Sequence, residues 1–259
     1  MTVLHTCWLT EPWKSSRDKY LAAWVKAGYE VVLWHLPTKS LLTKPPVEGM
    51  QLRDAWDVIL GSPIQESAKY AVRFGDHGTA SDLFRYEVLC QHGGAYADLD
   101  VWPKDATKFS AYSPNQPLFG DHDRIPLEIR FIMSGGMHPL MVRIRNTAVA
   151  NEEAWIAGGG WMKKGADAKG ILTRTAPDMA MGVVRQWAKE HALTLQDFIL
   201  KNAVDEKTIE GGGEHFNFKI ARARELAKLE PGYAAFKAWE RAAFVAMRHG
   251  RPIPEKPLW

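Results

Sequence analysis

Residues Ser81 to Trp102 read SDLFRYEVLCQHGGAYADLDVW, and the fold is decided here. Apolar side chains at helical spacing fill the first half, Thr79 and Asp82 make a capping-box pattern at its start, and Gly93-Gly94 stops it. The predicted helix spans Thr79 to His92, and Ala95 to Leu99 returns as an apolar strand. Two acids then stand at i and i+2. Period two places Asp98 and Asp100 on one side of the chain, with Cα atoms about 6.5 Å apart. Two carboxylates converging at a strand's carboxyl end offer hard oxygen ligands to Mg2+ or Mn2+. That edge of an open α/β sheet is also where ligands bind. Asp82 and Arg85, three residues apart, share a helix face, and the Gly-Gly turn brings the strand back beside them. From these residues alone, two plainer readings stay open. Asp82 is also the acid of a capping box with Arg85 as a surface partner, and Asp98 and Asp100 are also solvated acids leaving a strand.

Outward from this stretch, strands and helices alternate. Val3 to Trp8 and Glu30 to His35 are β-rich runs, and between them Ser16 to Ala27 carries Tyr20, Leu21, Trp24 and Val25 at helical spacing before Gly28. Strand, helix and strand at this length make a βαβ unit. Pro37 and the adjacent Pro45-Pro46 mark an exposed connection, and Ala55 to Leu60 reads as another short strand. Downstream, strands are expected at Pro117 to Gly120 and Ile129 to Ser134, and helices at Pro139 to Ala150, Asp178 to His191, Phe218 to Leu229 and Tyr233 to Arg248. No internal repeat and no linker interrupts the series, so one α/β domain with a mainly parallel sheet is expected.

Composition excludes several classes. With 46% hydrophobic and 24% charged residues over 259, the chain is neither disordered, collagenous nor a coiled coil. A formal charge of +3 without a basic stripe argues against a nucleic-acid partner. Cys7 and Cys90 form no CxxC pair and read as buried thiols of a reducing compartment. No run of 18 apolar residues is present, so no membrane span is expected and the protein is expected to be soluble and cytoplasmic. The histidines show no HxxxH or HExxH spacing for zinc, and the Gly158–Gly160 and Gly211–Gly213 triplets match no phosphate-loop pattern.

Ser81, Asp82, Arg85, Tyr86, Leu89, Gly93, Gly94, Tyr96, Asp98 and Asp100 together spell SDxxRYxxLxxxGGxYxDxD. This resembles the signature of DxD-containing sugar-transferring glycosyltransferases, a group that includes fungal initiating mannosyltransferases, capsular-polysaccharide sugar transferases and the catalytic domains of large clostridial glucosylating toxins. Leu4 to Trp8, LHTCW, resembles the family's first strand, and Gly28 to Trp34 its GYexxLW segment. Ser134 to Pro139, SGGMHP, resembles the segment after the DxD strands, and Glu214-His215-Phe216-Asn217 stands where the family completes its metal site. The terminal Trp of that last motif is absent here, with Phe218 and Lys219 in its place.

The resemblance implies a GT-A-like α/β fold: a nucleotide-binding, open, mainly parallel sheet flanked by helices, with extra C-terminal helices and residues 1–259 forming one catalytic domain. It implies a metal-dependent, retaining hexosyltransferase that moves a sugar from a nucleotide sugar, UDP-linked rather than GDP-linked, to a glycan or protein acceptor. Mn2+ or Mg2+ would be held by Asp98 and Asp100, with Glu214, His215 or Asn217 completing the site. Asp82 and Arg85 would hold sugar hydroxyls, Trp8 would lie against the nucleobase, and Tyr96 would line the donor pocket. Trp155, Trp161 and Trp239 are candidates for a carbohydrate-stacking surface. Two rival functions are a non-catalytic nucleotide-sugar or glycan binder of the same fold and an aspartate-dependent phosphatase using Asp98 and Asp100. The phosphatase reading lacks an adjacent acid pair downstream.

Overall fold

A computed structural model describes residues 2–9, 11–103, 115–122, 125–159, 174–193, 198, 203–204 and 209–211. The expected helices at 218–229 and 233–248, together with Glu214, His215, Asn217, Trp161 and Trp239, lie outside these residues. In chain order the main elements are β1 (Val3–Trp8), α1 (Asp18–Lys26), β2 (Glu30–His35), α2 (Pro37–Ser40), β3 (Gln51–Asp54), α3 (Trp56–Ile59), α4 (Gln65–Arg73) and α5 (His77–His92). There follow β4 (Gly94–Ala97), β5 (Val101–Pro103), β6 (Leu118–His122), β7 (Ile125–Ser134), α6 (Pro139–Ala157), α7 (Pro177–Glu190), β8 (Ala203–Val204) and β9 (Ile209–Gly211).

The main sheet has the order β3-β2-β1-β4-β7-β6-β8, and β5 pairs with β9 in a separate two-stranded sheet. β1, β2, β3 and β4 run parallel, with Val3 opposite Glu30 and Leu4 opposite Ala95. β7 runs antiparallel to β4 and β6, and β8 lies parallel to β6. The chain thus winds from β1 outward to β3, then returns across β1 to place β4 on its other side. Right-handed crossovers in opposite directions put their helices on opposite faces. α1 contributes Leu21 and Trp24 to a cluster on one face, with Leu4, Val31, Leu33, Ala95 and Phe131. The helices α3 to α7 cover the other face in a larger cluster through Ile59, Ala68, Leu83, Phe84, Ile144 and Val184. The strand order reverses between β1 and β4, where open α/β sheets place their ligand crevice, and the carboxyl ends there bear Trp8 and Asp98.

α5 is the central helix. Residues from Thr79 to Cys90 are buried on all sides except at Ser81, as expected of a helix enclosed by others. It starts two residues before the expected Thr79. Asp76 is its cap, accepting from the Thr79 backbone N–H at 3.1 Å and the Thr79 hydroxyl at 2.8 Å. Asp82 is therefore released from any capping role. At its other end the chain reverses at Gly93 (φ 66°) and Gly94 (φ 86°). A Cβ on Gly94 would stand 2.6 Å from the Val3 carbonyl, so the close approach of α5, β1 and β4 needs glycine there.

Two expectations are corrected. Ala55 to Leu60 is mostly the short helix α3, and the strand is the preceding Gln51–Asp54, only one residue of which is strongly apolar. A six-residue apolar run cannot by itself separate a strand from a buried helical turn. Helix α4 is also present where no element was expected, because its buried face is built from Ser67, Ala68, Ala71 and Val72.

Candidate active site

β4 ends at Ala97, so the two acids of the DxD motif leave the strand rather than continue it. The Asp98 N–H still bonds the Arg130 carbonyl at 2.8 Å, and the Val101 N–H then bonds the Asp98 carbonyl at 3.0 Å, closing a turn over Asp98–Val101. Alternation survives in burial: Ala97, Leu99 and Val101 enter the α1-side cluster, while Asp98 and Asp100 are half-buried. The two acids share a turn, and strand pleat is not what brings them together. α1 holds the end of this turn, because the Trp24 indole N–H donates to the Val101 carbonyl at 2.8 Å and Tyr20 stacks on Trp102.

Arg85 connects the motif to α5. Its Nη2 lies 3.0 Å from Asp98 Oδ1 and 3.1 Å from Asp82 Oδ1, and its Nη1 donates to the Ile129 carbonyl at 2.6 Å. Thr175, in the segment entering α7, donates its hydroxyl to Asp82 Oδ2 at 3.1 Å. The Tyr86 hydroxyl anchors that segment through the Thr175 carbonyl at 2.9 Å. Arg174 next to it bonds Glu152 at 2.8 Å and lies 3.9 Å over the Trp155 ring, so Trp155 is committed to this internal contact.

Burial governs the charges. It raises the Asp82 carboxyl to about 7, against the pull of Arg85 and with a further push from Asp98. Burial also raises Asp98, opposed by Arg85, reinforced by the Asp100 charge and opposed again by the Tyr96 hydrogen bond. Asp98 therefore feels the charge of Asp100. Every hydrogen bond and ion pair of the Asp98 carboxylate among the described residues falls on Oδ1, from Arg85 and from the Tyr96 hydroxyl at 3.2 Å. Oδ2 is the oxygen left to a ligand.

This donor set fits a hard divalent cation: two carboxylates on one turn, one of them with an oxygen held by the protein and the other oxygen available. Among the described residues no group of three or more His, Cys, Asp or Glu side chains gathers. Tyr96 is placed differently from the expectation that it lines the pocket. It is 1% exposed and lies under Asp98, with the Arg85 guanidinium 5.0 Å from its ring centre. Trp8 stands half-exposed at the end of β1, donating to the Glu11 carbonyl at 2.6 Å and meeting Trp13 edge-on. Trp24 and Thr175 are site supports that sequence reasoning missed. Neither is near the motif in sequence, and Trp24 reads only as the apolar face of its own helix.

Residues 61–117 match the family described as "Glycosyltransferase sugar-binding region containing DXD motif". The fold is similar to that of solved toxin domains. The UDP-bound glycosyltransferase domain from the YGT toxin shares 10% identity over 100% of this chain and 92% of its own, with a TM-score of 0.61. The PaToxG glycosyltransferase shares 14% identity over 87% of this chain and 77% of its own (TM-score 0.54). The catalytic domain of alpha-toxin from Clostridium novyi shares 10% over 88% and 82% (TM-score 0.51). No curated protein matches the chain. By segment and fold together, the chain resembles glycosyltransferase domains: it carries the DxD-containing segment on a fold of that kind. Asp82, Arg85, Tyr96, Asp98 and Asp100 all fall within the matched segment.

Proposed function

We propose that this chain transfers a sugar from a nucleotide sugar, UDP-linked rather than GDP-linked, to a glycan or protein acceptor, with retention of configuration and with Mn2+ or Mg2+ at the DxD turn. The observation that carries the reading is the ion network Asp82–Arg85–Asp98 at the β1/β4 crevice, with Asp100 on the same turn. A solved domain of the same fold is UDP-bound, which supports a uridine nucleotide.

Asp98, through Oδ2, and Asp100 would hold the cation, with Glu214, His215 or Asn217 as further ligands. Such a cation supplies Lewis-acid stabilisation of charge developing on a diphosphate leaving group. Asp82 and Arg85 would meet sugar hydroxyls, each carboxylate oxygen having a second lone pair to spare after its protein partner. Arg85 has a second task visible in the geometry: its cation lies between the buried Asp82 and the half-buried Asp98 and lets them stand near each other. Trp8 would lie against the base. Among the described residues no helix is long and apolar enough to cross a membrane.

The test is thermal stabilisation by UDP and by GDP, each with and without Mn2+, on the native chain and on Asp100→Ala. A specific ligand at one hundred times its dissociation constant adds about 2.7 kcal/mol. Stabilisation by UDP that needs Mn2+ and is lost in Asp100→Ala is expected, followed by sugar release from one member of a UDP-sugar panel. Absence of any metal-dependent nucleotide effect overturns the donor site.

A further inference from the structure

We infer that Cys7, Ser81 and Tyr96 form a positioning relay that fixes which oxygen of Asp98 faces the ligand. The inference rests on the donor-site reading above and adds residues outside the charged network. The three side chains come from β1, α5 and β4, the elements that meet at the crevice. Cys7 Sγ lies 3.3 Å from the Tyr96 hydroxyl and 3.5 Å from the Ser81 hydroxyl, and those two hydroxyls are 3.1 Å apart.

Arg85 and the Tyr96 hydroxyl are donors set by their partners. Arg85 Nη2 donates to Ser81 Oγ at 3.4 Å, so the serine's own proton goes to another acceptor, and Tyr96 Oη is in reach. The Tyr96 proton goes to Asp98 Oδ1 at 3.2 Å. Burial pushes the Cys7 thiol up to about 11, so at neutral pH it carries a proton to offer Tyr96 Oη. Tyr96 Oη then accepts from both neighbours while donating to the carboxylate, and each bond polarises the next. With Arg85 Nη2 on the same oxygen at 3.0 Å, the two lone pairs of Oδ1 are filled. Rotation of the carboxylate would break both bonds, so Oδ2 is held outward.

Cys90 provides the contrast. It is also buried, yet among the described residues its thiol makes no side-chain hydrogen bond, as a packing cysteine should.

The experiment measures Mn2+ affinity at fixed UDP concentration for the full chain, with melting temperature and far-UV circular dichroism recorded for each variant. Tyr96→Phe is expected to weaken Mn2+ by about 10-fold or more, the usual cost of losing a partner of a metal ligand. Cys7→Val, which packs well but cannot donate, is expected to weaken it several-fold, whereas Cys7→Ser restores the donor and stays near the native value. A purely structural thiol gives the reverse order, with valine harmless and serine the worse. Native affinity in both Tyr96→Phe and Cys7→Val, or serine inferior to valine, overturns the inference. If Tyr96→Phe does not fold, the two Cys7 variants decide alone. A native chain with no Mn2+-dependent UDP binding instead removes the donor site itself, and the relay with it.

Discussion

The β1–β4–α5 unit is held at its two ends by different chemistry. Where α5 turns into β4, the contacts are neutral: the Trp34 indole N–H donates to His5 Nδ1 at 3.1 Å, and His5 Nε2–H donates to the Gly93 carbonyl at 3.1 Å. Burial, with the nearby His92 and Arg53 charges, pulls the His5 imidazole down to about 4, against the Gly93 hydrogen bond. Where β4 ends, the contacts are ionic, with two acids and an arginine largely withdrawn from water. Neutral hydrogen bonds and glycine contacts suffice to join the elements, so the charge at the other end is not needed for joining them. Taking those charges out of water opposes folding, and the ion pairs of Arg85 offset part of that cost.

The largest effect is expected where this contrast is broken directly. Arg85→Met removes the cation between Asp82 and Asp98, with side chains of Arg85 and Asp82 only 4% and 8% exposed. Leaving buried carboxylates unpaired costs on the order of 3–5 kcal/mol. Chemical denaturation should show this loss at pH 8 and a smaller one near pH 5, where the orphaned carboxyls take up protons. A loss that ignores pH would mean the arginine serves as packing.

Next in size is an opposition of sign between the two ends. The folded pKa of His5 lies below its unfolded 6.5, so its contribution is present above pH 6.5 and is lost as pH falls toward 4, because the unfolded chain protonates first. At about 1.4 kcal/mol per pH unit the loss reaches on the order of 3 kcal/mol. Asp82 behaves oppositely. Its folded pKa of about 7 lies above the unfolded value, so its contribution is present at low pH and is lost as pH rises through 7. Stability curves between pH 4 and 8 should therefore flatten at the acid side in His5→Gln. In Asp82→Asn the advantage over the native chain should grow with pH. Parallel curves for both variants would erase the distinction.

Much of this architecture was legible in the chain. Gly93-Gly94 ends a helix whichever way its neighbours are read, and the turn to β4 followed from it. Asp98 and Asp100 stood out because apolar Ala97, Leu99 and Val101 alternate with them, and that alternation persists in burial although the backbone has left the strand. Asp82 and Arg85 were legible as a pair through their helical spacing, but not their burial, which depends on Thr175, the Ile129 carbonyl and the Asp98 turn reaching them from distant parts of the chain. The supports were not legible. Cys7 and Tyr96 are 89 residues apart, as are Tyr86 and Thr175, and no local pattern announces a hydrogen bond across such a separation. The start of α5 was misjudged for a local reason: both Asp76 and Thr79 are good caps, and only the backbone decides which one stands outside the helix.

The smallest expected effect sharpens the charged end from its periphery. Asp76 caps α5, faces Arg174 at 3.5 Å and adds to the upward push on Asp82. Asp76→Asn keeps a side-chain oxygen for the Thr79 N–H, and asparagine caps as well as aspartate, so denaturation at pH 7 should show a loss under about 1 kcal/mol. Arg174 retains Glu152 at 2.8 Å, a carboxylate only 1% exposed, and that bond rather than the longer one should hold it. With the Asp76 charge gone, Asp82 ionises at lower pH in the folded chain, so the advantage of Asp82→Asn over its parent should stop growing at a lower pH and reach a smaller value when measured in the Asp76→Asn background. A loss well above 2 kcal/mol would instead make Asp76 the principal anchor of Arg174. The segment carrying Thr175 to Asp82 would then depend on the helix cap, joining two parts of the site that the distances keep apart.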